Sequence, residues 1–361
     1  MSSERLGVAV IGCGFLGQPH AKAVARARNC RLVAVVDAVP GKAQSLKERF
    51  GAEVAYTHED EALAREDVDW VIVVTPNDSH KDLTIKALEA GKHVMVQKPM
   101  ATTLADCDAM ITASKRSGKK LMNAFFEMFQ PVYYKAKELI ERDAIGQVFL
   151  MKAIMAWWSP DTSSWPFDPK ISGGGIALDG HVHHAAMFEY YTKSKARWVT
   201  MQGGTFASNA LVEDTATTLI RSECALAEVS GSNRLKMPCS QNNWLFQEYI
   251  ELYGTYGTIL CRPLERPSLW LYSEKEEIPK HLQGWMHPRT DWVPFDDRIG
   301  YTQFNAEDDP WVRLHEHFSD CILNDTRPIT TGEDGRRILE IVLAGYESMR
   351  QGKTIELPLR L

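Results

Sequence analysis

No stretch of this chain stays apolar for the roughly 20 residues that a helix needs to cross a bilayer. A membrane span is therefore not expected. No run of like charges occurs either: 41 Lys and Arg stand against 47 Asp and Glu, for a net charge of -6. That balance argues against a nucleic-acid or anionic-membrane partner. C-x-x-C spacing is missing. The seven cysteines, at 13, 30, 107, 224, 239, 261 and 321, are scattered and odd in number. Buried, unpaired thiols in a reduced, cytoplasmic setting are expected. Met1-Ser2-Ser3-Glu4-Arg5 carries no basic-then-apolar signal segment. Internal repeats and low-complexity linkers are also absent. What remains is a length of 361 residues, enough for two domains and a large core.

The most informative segment is Val8-Ala9-Val10-Ile11-Gly12-Cys13-Gly14-Phe15-Leu16-Gly17. A strand of small apolar residues runs directly into G-x-G-x-x-G. Gly12 permits the tight turn, Gly14 lets backbone approach a pyrophosphate, and Gly17 lets the next helix pack on the strand. That helix is expected to begin near Phe15 and to aim its first amides at the phosphates, with Leu16 also on the cofactor side. Arg31 to Val36 reads as the second strand, and Asp37 ends it, twenty residues beyond Gly17. A carboxylate there accepts from ribose hydroxyls and favours NAD over NADP. No Lys or Arg follows until Lys42, so an obvious clamp for a 2′-phosphate is missing. The bland alternative is a glycine turn in some other α/β protein.

Strand and helix alternate through the first third. Strands are expected at 8–11, 31–36, 53–56, 70–74, 93–96 and 120–124, with helices near 15–27, 41–50, 59–64, 79–90 and 104–117 between them. Such alternation means a parallel sheet covered on both faces, with ligands at the carboxyl ends of its strands. Three polar clusters fall at such ends: Asp37, the run from Thr75-Pro76-Asn77 to His80, and Gln97-Lys98-Pro99. After about residue 125 the pattern changes. A helix near 131–142 precedes strands at 147–157, 196–204, 214–221, 225–232, 248–253 and 258–261, and helical spacing returns at 311–323 and 333–350. The expected fold is an α/β Rossmann domain over 1–125, followed by an α+β domain over 126–361. The second domain carries an open, mostly antiparallel sheet.

Five motifs occur together in order: Gly12-x-Gly14-x-x-Gly17, Thr75-Pro76-Asn77-x-x-His80, Lys98-Pro99, Gly173-Gly174-Gly175-x-x-x-Asp179-x-x-x-His183 and Thr331-Gly332-Glu333-Asp334-Gly335. With them the chain resembles, over nearly its whole length, the glucose–fructose oxidoreductase / inositol 2-dehydrogenase family (Gfo/Idh/MocA). The resemblance implies an NAD(P)-dependent oxidoreductase acting on a hydroxyl of a sugar, cyclitol or glycoside. It also implies a C-terminal sheet that makes subunit contacts. Three departures mark this chain. Gln97 stands where the family usually has Glu. Phe126-Glu127-Met128 precedes Phe129-Gln130-Pro131 in place of an Asn-Arg-Arg-like segment. Gly180, His181 and Val182 separate Asp179 from His183. The substrate pocket is therefore not expected to be that of a standard inositol dehydrogenase.

Oxidising a secondary alcohol requires removal of the hydroxyl proton as hydride leaves carbon, hence an acid/base with a pKa near the working pH. Asp179 and His183 lie four apart, on one face if helical. His183 is the best base, because imidazole titrates near neutrality. Lys98 would steady the developing alkoxide, and Asp179 would fix a second hydroxyl or orient the pair. Glycines 173–175 read as a flexible approach to that helix. The alternative is a helix-capping Asp179 with a packed core His183. His181, His183 and His184 with Asp179 also invite a metal reading. Against it, His181 and His183 would point to different sides of a helix and no distant motif completes a set, so no metal is expected.

Glu127, Trp158, Trp165 and His184 are candidate substrate contacts, with packing as the rival role for Trp157, Trp158 and His184. Trp285, Trp292, Phe295, Tyr301, Phe304 and Trp311 cluster around the irregular segment 279–310, which reads as a lid or binding loop. The expected cofactor is NAD. The expected reaction is dehydrogenation of a secondary ring hydroxyl, with C3 of a glucoside as the finer guess. A redox-assisted glycoside lyase or hydrolase, and a non-enzymatic NAD sensor, are the rivals. Too few helices are expected to cover both faces of the second sheet, so a homo-oligomer of even order is also expected.

Overall fold

The computed structural model describes residues 5–159, 161–235, 247–263, 268–275 and 309–360. The chain divides into two compact units. One comprises Met1–Phe129, Lys170–Gly173 and Asn305–Leu339; the other comprises Gln130–Pro169, Gly174–Phe304 and Glu340–Leu361.

The first unit is built on β1 (Leu6–Ile11), β2 (Cys30–Val36), β3 (Val54–Tyr56), β4 (Trp70–Val73), β5 (His93–Gln97) and β6 (Leu121–Ala124). They form a six-stranded sheet in the order β3-β2-β1-β4-β5-β6, and each pairing is parallel. This is the doubly wound order, whose switch point lies between β1 and β4. The strands read as unbroken apolar runs because both faces are covered: every residue of β1, β4 and β6 is buried. Between the strands run α1 (Gly17–Arg26), α2 (Pro40–Phe50), α3 (Glu59–Leu63), α4 (His80–Glu89) and α5 (Leu104–Ser117). The Thr103 hydroxyl caps α5 by accepting from Asp106 N at 3.1 Å. Helix Pro310–Leu323 also belongs to this unit. It places Val312, Leu314 and Phe318 in the core with Val8, Val10 and Trp70. Phe318 meets the Trp70 ring edge-on, with centroids 5.2 Å apart.

The second unit holds β7 (Val148–Ala156), β8 (Trp198–Gly204), β9 (Thr215–Arg221), β10 (Leu226–Ser232), β11 (Gln247–Gly254), β12 (Gly257–Cys261), β13 (Leu269–Ser273) and β14 (Ile355–Glu356). Their order is β13-β12-β11-β7-β10-β9-β8-β14. Only β7 and β10 pair in parallel. Burial alternates strictly along β9 and β10, as one covered face demands. The covered face meets α6 (Pro131–Glu141), α7 (Val182–Thr192) and the turn Ala177–His181 that leads into α7. The register sets Leu219, Leu226, Ile154, Tyr249, Leu260 and Trp270 together on the opposite face. Among the described residues six cysteines are free, and no helix is long and apolar enough to cross a membrane.

Candidate active-site elements

The turn after β1 is shaped by two contacts that only glycine allows. Gly12 has φ +105°, and a Cβ there would lie 2.3 Å from the Val74 carbonyl oxygen. At Gly17 a Cβ would lie 2.2 Å from the Gly12 oxygen, so the start of α1 packs directly on the turn. Gly14 is different: nothing lies within 4 Å of where its Cβ would be. That is the open approach a pyrophosphate requires. Helix α1 begins two residues later than expected. Its N-terminus has no side-chain cap and no acid in its first turn, which leaves amide donors for an anion. Phe15 is exposed and Leu16 precedes the helix.

Asp37 holds this turn. Its Oδ2 accepts from Cys13 N at 2.8 Å and its Oδ1 from Val39 N at 2.9 Å. Each oxygen keeps a lone pair for a further donor such as a ribose hydroxyl. Burial, together with the Asp37 charge, pushes the Cys13 thiol up to about 12. It therefore stays protonated and donates to the Val36 carbonyl at 3.4 Å. These features fit NAD.

At the carboxyl ends of β4 and β5, the expected cofactor-side residues are held by several short hydrogen bonds. Pro76 leads into a short turn, Asn77–Ser79. Ser79 Oγ lies 2.7 Å from Thr75 Oγ1. Asn77 Nδ2 donates to the Ser172 carbonyl at 2.8 Å. The buried His80 ring bridges two loops: Nε2 is 2.9 Å from the Thr75 oxygen and Nδ1 is 3.0 Å from the Pro99 oxygen. Burial holds this histidine below its usual range, against carbonyl contacts that act the other way. His80 is thus a strut between the loops. Asn123 Nδ2 donates to the Val96 and Gln97 carbonyls at 3.1 and 3.2 Å. Gln97 Oε1 accepts from Lys98 N at 3.0 Å, and Gln97 Nε2 lies 2.7 Å from His20 Nε2. Lys98 itself is half-buried, and Glu127 is buried on the turn Phe126–Phe129.

In the second unit Gly174 and Gly175 of the glycine run are close-packed, not a flexible approach. A Cβ on Gly174 would lie 2.1 Å from the Tyr346 hydroxyl, and one on Gly175 would lie 2.0 Å from the Glu213 carbonyl oxygen. The Glu213 carboxylate accepts from Gly175 N at 3.0 Å, from Ala177 N at 3.0 Å and from the Tyr346 hydroxyl at 2.7 Å. Burial and the Glu213 charge hold the Tyr346 phenol protonated, well above its usual range. The clamped segment Ala177–His181 is a π turn, and Asp179 sits half-buried inside it. Isolated π turns are frequent at functional sites. His183 follows on the first turn of α7, with 5% of its surface exposed.

The neighbouring histidines behave differently. His181 Nδ1 bonds Thr218 Oγ1 at 2.8 Å, and burial lowers its pKa to about 3. His184 is fully buried, with Nε2 3.9 Å from Glu248 Oε1. Its burial favours packing over substrate contact. Among the described residues no group of three or more His, Cys, Asp or Glu side chains could hold a metal. Trp157 donates to Ser159 Oγ at 3.0 Å. The Arg234 guanidinium stands 4.6 Å from the Trp158 ring centre, so one face of that ring is taken. Trp165 is exposed. Cys239, Trp285, Trp292, Phe295, Tyr301 and Phe304 lie outside the described residues. Trp311 is described and stacks on Phe126, with centroids 4.5 Å apart.

Residues 6–125 match the oxidoreductase family with an NAD-binding Rossmann fold, Gfo/Idh/MocA, and residues 133–260 match the C-terminal domain of that family. The chain belongs to the Gfo/Idh/MocA family and is an NAD-dependent oxidoreductase. It is 25% identical to myo-inositol 2-dehydrogenase of Thermotoga maritima over 354 residues, covering 97% of this chain and 98% of the relative. It is 27% identical to scyllo-inositol 2-dehydrogenase (NAD(+)) of Bacillus subtilis, covering 98% of this chain and 96% of that protein. Among solved structures it resembles aldose-aldose oxidoreductase of Caulobacter crescentus, complexed with glycerol. That likeness has a TM-score of 0.82 and 27% identity, and covers 98% of this chain and 100% of that one.

Proposed function

We propose that this oxidoreductase dehydrogenates a secondary ring hydroxyl of a sugar, glycoside or cyclitol. The observation that carries the reading is the single strand edge shared by three features. The open glycine turn follows β1, Asp37 follows β2, and Lys98 follows β5. In a doubly wound sheet this carboxyl edge is where ligands bind. The two inositol 2-dehydrogenases named above act, by their names, on inositols, which have only secondary ring hydroxyls.

Gly12, Gly14, Phe15, Leu16, Gly17 and Asp37 would hold the pyrophosphate and ribose, with Thr75, Pro76, Asn77, His80 and Gln97 shaping the neighbouring loops. Bound NAD supplies the acceptor for the hydride. Lys98 donates to the substrate oxygen and lowers the energy of the forming alkoxide. His183 accepts the hydroxyl proton. Asp179 accepts from a second substrate hydroxyl, which orients the ring. Glu127, Trp158 and Trp165 are further proposed substrate contacts. The C3 hydroxyl of a glucoside is the finer proposal. The substrate is a small molecule, the setting is cytoplasmic, and the outward sheet face of the second unit joins copies of this chain into an even-numbered oligomer.

The test is a panel of glycosides and cyclitols followed by NADH absorbance and by product analysis. Stoichiometric NADH with a keto product supports the reading. Cleavage of a glycosidic or C–O bond without net NADH would replace it with the redox-assisted lyase or hydrolase. Cofactor binding without any turnover across the panel would favour the sensor.

A further inference from the structure

Gln97, His20 and His315 form a buried chain of polar side chains within the first unit, and the two ends of the chain dictate where every proton sits. One end is the Lys98 backbone N–H, which can only donate. Its acceptor at 3.0 Å is therefore Gln97 Oε1. That fixes the amide, so the Gln97 NH2 group faces His20 Nε2 at 2.7 Å and donates to it. His20 must present a lone pair there and carry its ring proton on Nδ1. That nitrogen lies 3.0 Å from His315 Nε2. His315 accepts in turn, and its own proton on Nδ1 goes to the Trp311 carbonyl at 2.6 Å. A carbonyl can only accept, so the second end agrees with the first. Both histidines are 0% exposed, and the Trp311 ring packs edge-on against His20. Each contact is satisfied with both rings neutral, which is the state burial favours.

We propose that Gln97 is a positioning residue for Lys98, holding its backbone to a histidine pair locked in the Nδ1–H tautomer. The inference rests on the proposed role of Lys98 at the substrate hydroxyl. It also accounts for the amide at this position. A carboxylate would offer only acceptors, so with both rings neutral one contact of the chain must fail: the one to His20 or, with both tautomers reversed, the one between His315 Nδ1 and the Trp311 carbonyl.

The experiment is long-range ¹H–¹⁵N spectroscopy of the full-length, histidine-labelled protein, with His20→Asn and His315→Asn used for assignment. His20 and His315 should both show bare Nε2 and protonated Nδ1. In Gln97→Ala the His20 Nε2 resonance should move toward the position of a nitrogen that accepts no hydrogen bond. In the same variant kcat on the best panel substrate should fall roughly 10- to 100-fold, the scale of a misplaced catalytic group, with KM for NAD little changed. An Nε2–H tautomer at His20, or a wild-type kcat in Gln97→Ala, would overturn the proposal. A fully active Lys98→Ala would instead remove the catalytic reading of Lys98, while the tautomers would still decide how Gln97 is bonded.

Discussion

The Glu213 carboxylate grips the backbone of Gly175 with both oxygens, at 3.1 and 3.0 Å. One of those oxygens also takes Ala177 N and the Tyr346 hydroxyl. Three donors on one buried carboxylate pin the start of the turn that carries Asp179. Glu213→Gln replaces an acceptor with an NH2 group that would face N–H or O–H donors. The cost of such an unsatisfied buried contact is about 1–3 kcal/mol. We expect a lower urea midpoint for Glu213→Gln and a fall in kcat larger than the change in NAD affinity. Tyr346→Phe should show the same pattern more weakly, since it removes one donor. Wild-type stability in Glu213→Gln would show that the clamp is dispensable.

Asp37 should set the cofactor preference. With the cofactor seated as proposed, the Asp37 carboxylate would meet a 2′-phosphate with like charge, and no basic residue follows before Lys42. NAD should bind more tightly than NADP, and Asp37→Ala should narrow the difference. Fluorescence titration with both reduced cofactors measures this directly. NADP binding as tight as NAD in the native protein would sink the assignment.

Lys98→Ala and His183→Ala should each lower kcat by roughly 10²-fold or more, the usual scale for a lost acid/base or oxyanion partner. His183→Ala should keep near-native NAD affinity. Near wild-type turnover in purified His183→Ala would mean that another group takes the proton.

Much of the first unit was legible because parallel strands buried on both faces leave unbroken apolar runs, as in Trp70-Val71-Ile72-Val73. The helices between them follow ordinary start and stop signals, such as Thr103 before α5 and Gly118 after it. Strand β14 was not legible, since two residues carry no period. Helix Pro310–Leu323 announces its existence by spacing, but nothing local says that Phe318 will meet Trp70. The same limit hides the contact between His20 and His315, which are 295 positions apart. Glu213 reads locally as a solvated acid beside Asp214, and only the fold brings it to the glycine run. The glycines themselves were visible, but their reason was not: a Gly-Gly-Gly run looks loose until Tyr346 and Glu213 are placed against it.

Stability should fall with acid already between pH 7.5 and pH 5.5. Burial holds His181, His315, His20 and His184 below the ordinary imidazole value of 6.5, with His315 near 4 and His181 near 3. The unfolded chain binds protons at these positions below that value while the folded chain does not. Each therefore contributes stability that is fully present above pH 6.5. It is lost as the pH drops toward the folded value, at about 1.4 kcal/mol per pH unit per histidine. Urea midpoints at pH 7.5 and pH 5.5 should differ accordingly, and equal midpoints would reject neutral burial of these rings.

The outward face of the second unit's sheet should be an interface between copies of the chain. Leu219 and Leu226 are 41% and 40% exposed on adjacent antiparallel strands, and the register puts Ile154, Tyr249, Leu260 and Trp270 on the same side. Glu228, Ser230, Lys152 and Glu251 share this side, and large apolar side chains grouped on an uncovered sheet face are a common mark of an interface. A symmetric pair of copies is the common solution, because one face then meets itself. Light scattering at micromolar concentration should give an even multiple of the chain mass. Leu219→Arg with Leu226→Glu should shift that mass downward while the far-UV signal stays native, because both side chains point away from the covered face. A native mass equal to one chain would refute the assembly and leave this face exposed in solution.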